Sequence, residues 1–322
     1  VGKVLGRRRR GLVFGVWVFV LLVAVFGAVL NVPLVKGDDG TIYIRADGTI
    51  DPPTAPISTL DNVTYTLTDN ITSSGDGIIV ERDDIIIEGD GYTLQGSGVY
   101  SKGIDLTARS NVTIKNTRIM AFYRGIYLYS SSGNSISGNN ITNNSYGIEL
   151  LSSSNNNSVI GNNITANWHG IKLSNSSNNN TVYGNNITAN NEFGIWLDSY
   201  SNNNSISGNN IANHMYGIGV YSLSSDNEFY HNNIINNTYG VYFYLSSTNA
   251  WDDGYPSGGN YWSDYAGVDE KSGPNQDQPG SDGIGDTPYI IDANNRDRYP
   301  LMNPWPSGPG LHELEVGLKA PK

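Results

Sequence analysis

The sequence predicts an all-β solenoid, a parallel β-helix of about eight coils, and three observations carry that prediction. First, a block of about 23 residues recurs: NSISGNNITNNSYGIEL (134–150), NSVIGNNITANWHGIKL (157–173), NTVYGNNITANNEFGIWL (180–197), NSISGNNIANHMYGIGV (204–220) and NEFYHNNIINNTYGVYF (227–243). Its second glycine, with a counterpart one block earlier, falls at Gly125, Gly147, Gly170, Gly194, Gly217 and Gly240, in steps of 22 to 24 residues. A fixed period in this range marks a solenoid or array. Second, apolar residues inside a block are single and alternate with small polar ones, as at Ile136, Ile141, Ile148 and Leu150. That is period 2 in three short strands, broken by Gly-Asn and Asn-Asn turns, with no helical period and no leucine-rich pattern. Third, only 15% of the 322 residues are charged, where a typical soluble domain is about one quarter charged. Asparagine, serine, glycine and tyrosine fill the difference.

Taken in order, residues 1–37 come first. Arg7, Arg8, Arg9 and Arg10 precede an uncharged run from Gly11 to Val35. About 20 apolar residues suffice to span a hydrocarbon core, and arginines before the span stay cytoplasmic. The expectation is an N-terminal hydrophobic helix, either a signal peptide or a single transmembrane anchor, followed by an exported body at the cell surface. The run exceeds the ~7–15-residue core of a cleaved signal, which favours the anchor. Residues 38–75, with Pro52, Pro53 and Pro56, read as an N-terminal cap, because an open solenoid end exposes edge groups and an apolar floor. Residues 76–250 hold the coils, with IIVERDDIIIEGDGYTL (78–94) as an early one. The repeat breaks at Trp251, so 251–306 reads as a C-terminal cap packing Trp262, Tyr265, Tyr289 and Trp305 over the last coil, and 307–322 as a short polar tail.

Stacking explains the composition. Adjacent coils lie ~4.8 Å apart, so equivalent residues form ladders. Ile141, Ile164, Ile187, Ile211 and Ile234 make an internal aliphatic stack, and Asn140, Asn163, Asn186, Asn210 and Asn233 are expected as a turn ladder. Asparagine tolerates left-handed backbone angles, and its amide bonds to its counterpart above and below.

Charge and cysteine narrow the function. Six of the 19 basic residues lie before residue 38, leaving 13 bases against 30 acids in the body. Such a body repels phosphate backbones, which argues against a nucleic-acid partner. The absence of cysteine excludes disulfides, zinc ribbons and thiolate copper sites. Sequons recur with the Asn-x-Thr repeat. Asn140, Asn163 and Asn186 fall at the expected turn ladder, whereas Asn175 and Asn203 sit in longer Ser/Asn turns and are the accessible glycosylation candidates.

The pattern SISGNNIT…YGIEL resembles the right-handed parallel β-helix repeats of NosD-like and carbohydrate-binding/sugar-hydrolase (CASH-type) proteins. The tail motifs GGNYWSDY, DGIGDTPY and DRYPLM are similar to segments of archaeal NosD-like cell-surface proteins. The resemblance implies fold more than activity, because lyases, hydrolases, epimerases and inert surface proteins share such coils.

Three candidate sites follow. The outward face of the strand after the repeated glycine runs Asp105, Tyr127, Glu149, Lys172, Trp196, Gly219, Tyr242, and two residues on Thr107, Tyr129, Leu151, Ser174, Asp198, Tyr221, Tyr244. Tyr127, Trp196, Tyr221, Tyr242 and Tyr244 suit an extracellular glycan, since aromatic rings cover sugar faces. The same rings stabilise the sheet merely by stacking across strands. Glu149 and Asp198, with Lys172 between, are weak candidates for glycoside hydrolysis or lyase chemistry; hydrolysis needs carboxyls ~5–9.5 Å apart across one bond, and strand spacing alone separates these by about 10 Å. The second candidate follows from the NosD resemblance, which implies copper-site maturation and makes His169, His214, Met215 and His231 worth placing. Their positions in the repeat do not converge, so copper delivery is disfavoured. In the third, Asp277, Asp282 and Asp286, with Gly283 and Gly285, look like a short calcium loop, although no glutamate closes it; the plainer reading is an Asp-Gly turn in the cap. The leading functional expectation is a non-catalytic surface protein, structural or glycan-interacting, that requires no cofactor. A polysaccharide hydrolase or lyase is the alternative.

Overall fold

In the computed structural model, residues 40–97, 100–245 and 248–306 are described. Every regular element among them is a strand, and no helix among them is long and apolar enough to cross a membrane. The expected N-terminal helix and the 307–322 tail lie outside the described residues.

The strands form an all-β parallel solenoid of about eight turns. Each coil contributes one strand to each of three sheets, which hold ten, nine and nine strands. The ten-stranded sheet carries the repeated glycine, as in Tyr146–Leu151 and His169–Ser174. A second sheet carries Ser135–Ser137 and its equivalents, and a third carries Asn140–Thr142 and its equivalents. Register is strict: Ile141 pairs with Ile164, Ile164 with Ile187, Ile187 with Ile211 and Ile211 with Ile234. These side chains are buried, and each such isoleucine stabilises the fold by roughly 1.5–3 kcal/mol relative to exposure. Period 2 thus becomes three apolar columns running along the axis.

The turns are held by amides, and here the sequence expectation needs correction by one residue. The buried turn ladder is Asn139, Asn162, Asn185, Asn209 and Asn232. From Asn162 onward each Oδ1 accepts from the backbone N–H and the Nδ2 of its counterpart one coil earlier, at 2.9–3.1 Å, and Asn139 Oδ1 accepts from the Thr117 N–H. Asn140, Asn163, Asn186, Asn210 and Asn233 instead open the strands of the third sheet; the first four face outward, where their amides form a surface chain, and Asn233 is buried against the Trp305 backbone. In an Asn-Asn pair, the first residue sits in the turn and the second opens the strand. Parallel ladders run through Asn134, Asn157, Asn180, Asn204 and Asn227 and through Asn144, Asn167 and Asn190. Asn175 and Asn203 are exposed in left-handed turns, with φ of 54° and 55°.

Both ends carry capping segments. At the front, Ile57–Ser58 pairs antiparallel with Thr64–Leu67, and Ile42–Ile44 with Ile50–Asp51. Parallel pairing already begins here, Ile42–Ile44 joining Ile78–Val80, so this stretch supplies coil as well as cover. At the rear, Trp262 continues the Ile234 column in register, and Trp251 stacks on Phe229 at 4.3 Å between ring centroids. Tyr289 stacks on Trp262 at 4.1 Å. Asn260 and Asn295 of the cap accept from Asn232 and Asn249, so the ladders pass from coil into cap. Asp297, fully buried, receives the Asn260 N–H and the Trp262 indole N–H on one oxygen and the Tyr299 N–H on the other. Burial outweighs these donors and pushes its carboxyl up to about 7.

Candidate functional site

The glycine strands place three rows of side chains outward because the backbone bends at the glycine. A Cβ on Gly147 would lie 2.6 Å from the Gly170 carbonyl oxygen, so only glycine fits, and the residue before it joins the outward face, where its neighbours in the row pack against it. That residue generates a row that sequence reasoning missed: Lys102, Arg124, Tyr146, His169, Phe193, Tyr216, Tyr239. The signal was present in the recurring Tyr/His/Phe-Gly pair. It was passed over because the glycine served only as a phase marker.

The two expected rows are in register, Tyr127 beside Glu149, Glu149 beside Lys172, Lys172 beside Trp196, and Tyr221 beside Tyr244. In the N-terminal half the face is a charge lattice. Glu149 is 3% exposed, ion-paired to Arg124 on one side and to Lys172 at 3.6 Å on the other. Asp105 is similarly buried against Lys102 at 2.6 Å. Arg124 also lies 4.8 Å from the Tyr127 ring centroid, and Lys172 4.2 Å from that of Trp196. Asp198 sits a row away from Glu149 and two coils on, beside Tyr221. The structure therefore does not bring Glu149 and Asp198 to opposite sides of one bond, and Glu149 is occupied by two cations.

Toward the C-terminal half the face becomes aromatic. Tyr146, His169, Phe193, Tyr216 and Tyr239 stack in succession, with centroids 4.8, 5.7, 4.9 and 5.3 Å apart. Their ring faces are spent on one another, so edges and hydroxyls point outward. Tyr127 is nearly buried and Trp196 packs on Phe193 at 5.1 Å, whereas Tyr239, Tyr242 and Tyr244 are exposed. Described cap residues therefore leave the last coils of the face open. Burial pushes the Tyr146 and Tyr221 hydroxyls up to about 12, which keeps them protonated donors. Beside the stack, the exposed Trp168 donates its indole N–H to Glu192 at 2.9 Å. His169 Nδ1 and Trp196 Nε1 are buried with no hydrogen-bond partner, and burial, aided by Lys172, pulls His169 down to about 4, so its ring is neutral.

The remaining candidates are separated. His214 stands where its neighbouring coils carry Asn190 and Asn237: Nδ1 accepts from the Asn190 N–H, and Nε2 bonds the Ile187 carbonyl at 3.0 Å. His231 bonds the Ser257 carbonyl and stacks on Trp305 at 3.5 Å, while Met215 is exposed. In the cap, Asp282 accepts from Gln276 Nε2 and from Ile284 N–H, Asp286 from Glu270 and Lys271 N–H, and Asp277 from Gln278 Nε2. These carboxylates hold loop amides and do not converge on one point. Among the described residues no three His, Asp or Glu side chains form a metal-holding group.

A capped parallel β-solenoid with one ordered aromatic and charged face is the class this geometry defines. The family model described as "Periplasmic copper-binding protein (NosD)" matches residues 57–267, more than half of the chain, and the chain belongs to that family. No curated protein sequence matches the chain. Among solved structures it is similar to the periplasmic alginate epimerase AlgG, at 19% identity over 56% of this chain and 50% of that one, with a TM-score of 0.41. It is also similar to an alginate lyase from Paenibacillus sp. str. FPU-7, at 13% identity over 59% and 91% with TM-score 0.36. Pectate lyase Pel9A matches at 17% identity over 65% and 72%, with TM-score 0.32. The match thus spans half the length of the epimerase. The family description names copper, but soft-metal chemistry needs converging imidazole or sulfur donors, and both nitrogens of His214 already bond backbone. The described residues do not fit a preformed copper site.

Proposed function

We propose that the chain is an exported, non-catalytic surface protein, tethered or secreted through its N-terminal segment, that contacts glycans through the outward face of the glycine sheet. One observation carries the reading: the face is a continuous lattice of rings and ion pairs whose exposed groups at the last coils are the tyrosine side chains of Tyr239, Tyr242 and Tyr244. Hydroxyl-bearing polymers match such an edge by hydrogen bonding, and the ~4.8 Å rise per coil repeats the donors along the axis. Contact centres on Tyr221, Tyr242 and Tyr244, with Tyr127 and Trp196 as packed supports. Export also places the exposed sequons Asn175 and Asn203 where they can be glycosylated.

A second reading, a polysaccharide lyase or hydrolase, is favoured by one specific feature. Neutral His169 lies 4.8 Å, ring to ring, from Tyr146 and close to Lys172, and a neutral imidazole is a competent proton acceptor. The test is incubation of the protein with a polysaccharide panel, scoring retention and new reducing or unsaturated ends. Retention weakened by Tyr242→Ala with Tyr244→Ala, without products, supports the binding surface. Products abolished by His169→Gln, Glu149→Gln or Asp198→Asn make it an enzyme. Neither retention nor products leaves a structural role.

A further inference from the structure

The rear cap closes two of the three sheets and leaves the third. Tyr261–Trp262 pairs with the last Asn-Ile-Thr strand, and Ala250 bridges to Glu228 at the end of the Ser-Ile-Ser sheet. The last glycine strand, Tyr239–Tyr244, pairs only with Tyr216–Tyr221 among the described residues. The Tyr244 carbonyl accepts from the Ser222 N–H, back toward the preceding coil. Backbone direction alternates along a strand, so Tyr242 also points back, and the N–H and C=O groups of Val241 and Phe243 point away from the solenoid. The strand YGVYFY carries no charge and no proline, two of the usual devices that blunt a sheet edge. Tyr239, Tyr242, Tyr244 and Leu245 around it are 39–58% exposed.

We propose that this edge pairs antiparallel with the same edge of a second copy, across a two-fold axis through Tyr242. The strand matches itself in that register. Val241 falls opposite Phe243 of the second copy, and Phe243 opposite its Val241, each pair exchanging two hydrogen bonds. Tyr242 meets Tyr242 of the second copy at the closer, non-hydrogen-bonded position. Val241 and Phe243 then lie on each other on the inner side, Tyr242 lies on Tyr242 on the outer, and Tyr244 falls opposite Gly240. The proposal shares Tyr242 with the glycan reading but does not rest on it, because pairing engages the backbone edge of the sheet and glycan contact the side chains on its face. A C2 contact of this kind is closed and does not propagate.

Light scattering on the full chain in mild detergent tests it, read against the protomer mass of 34.9 kDa. The expected result is twice that mass. Tyr242→Lys and Tyr242→Glu place like charges directly opposite each other, so each alone is expected to be monomeric yet folded, with an unchanged circular-dichroism spectrum, and their mixture to restore the dimer. Because the chain has no cysteine, Tyr242→Cys should cross-link on oxidation while Leu60→Cys, exposed on the opposite cap, should not. A monomeric wild type overturns the proposal. So does a dimer that survives Tyr242→Lys, or a monomer whose Val241 and Phe243 amides resist hydrogen exchange because another segment covers them.

Discussion

Asn162 and Asn163 are neighbours of the same residue type, yet the structure assigns them very different energetic roles. Asn162 Oδ1 accepts from both the backbone N–H and the Nδ2 of Asn139, at 3.0 Å each. Its Nδ2 donates to the Ile136 carbonyl at 2.8 Å and to Asn185 Oδ1 at 3.0 Å. Asn162→Ala therefore strips partners from a buried backbone N–H, a buried amide and a buried carbonyl. An unsatisfied buried group costs ~1–3 kcal/mol, so with partial relaxation the substitution is expected to destabilise by about 3–6 kcal/mol. Asn163→Ala removes only outward bonds to Asn140 and Asn186, at 3.2 and 2.8 Å, which water replaces, so about 1 kcal/mol or less is expected. Paired denaturant melts followed by circular dichroism measure the difference. Equal destabilisation by the two substitutions, or a larger loss at Asn163, would refute the assignment of the turn ladder to the first asparagine.

Three further outcomes follow from the site and the cap. His169 has its folded pKa depressed to about 4 from 6.5, so its contribution to stability is complete above pH 6.5 and is lost as pH falls toward 4; His169→Phe, which keeps the stack between Tyr146 and Phe193, should flatten that acid-side slope in pH-dependent melts. Asp297 runs oppositely: its folded pKa is raised from 3.8 to about 7, so its contribution is present below about pH 4 and lost as pH rises through 7. Asp297→Asn should lower stability by unpairing N–H donors, yet remove the fall in melting temperature between about pH 4 and 7. Finally, because the Asp282 and Asp286 oxygens are taken by amide N–H groups, melting should be the same in calcium and in chelator, and a calcium-dependent rise would restore the calcium loop.

The fold was legible because periodicity reports burial directly. Ile141 and its equivalents occur singly at fixed steps, and only a strand whose neighbours point outward uses an apolar residue that way. The asparagine register was less legible, since Asn139 and Asn140 are chemically identical and only the path of the backbone decides which one enters the turn. The ion-paired state of Glu149 was hidden for a different reason. Arg124 is 25 positions away in sequence, and it reaches Glu149 only because the glycine bend turns the residue before it outward. His214 carried a false signal: an imidazole suggests a ligand, yet here its two nitrogens reproduce the acceptor and donor of an asparagine amide. Trp262 and Tyr289 were recognisable as cap residues from their place after the repeat, whereas Trp251, at the break itself, was read as a boundary and proved to be packing.

The amide ladders have one more consequence, for heredity. Asn157 and Asn180 occupy the same rung one coil apart, each accepting from the asparagine before it in the same way. Excising residues 157–179 from the gene would join Asn156 to Asn180 and present Asn134 with the acceptor it already uses. Loss or duplication of one such segment keeps the asparagine ladder bonded rung to rung and changes the reach of the molecule by one coil, although excising 157–179 also takes Lys172 from Glu149. Length in this architecture is thus a trait that unequal recombination between near-identical repeats can adjust in whole steps, without first passing through a misfolded intermediate sequence.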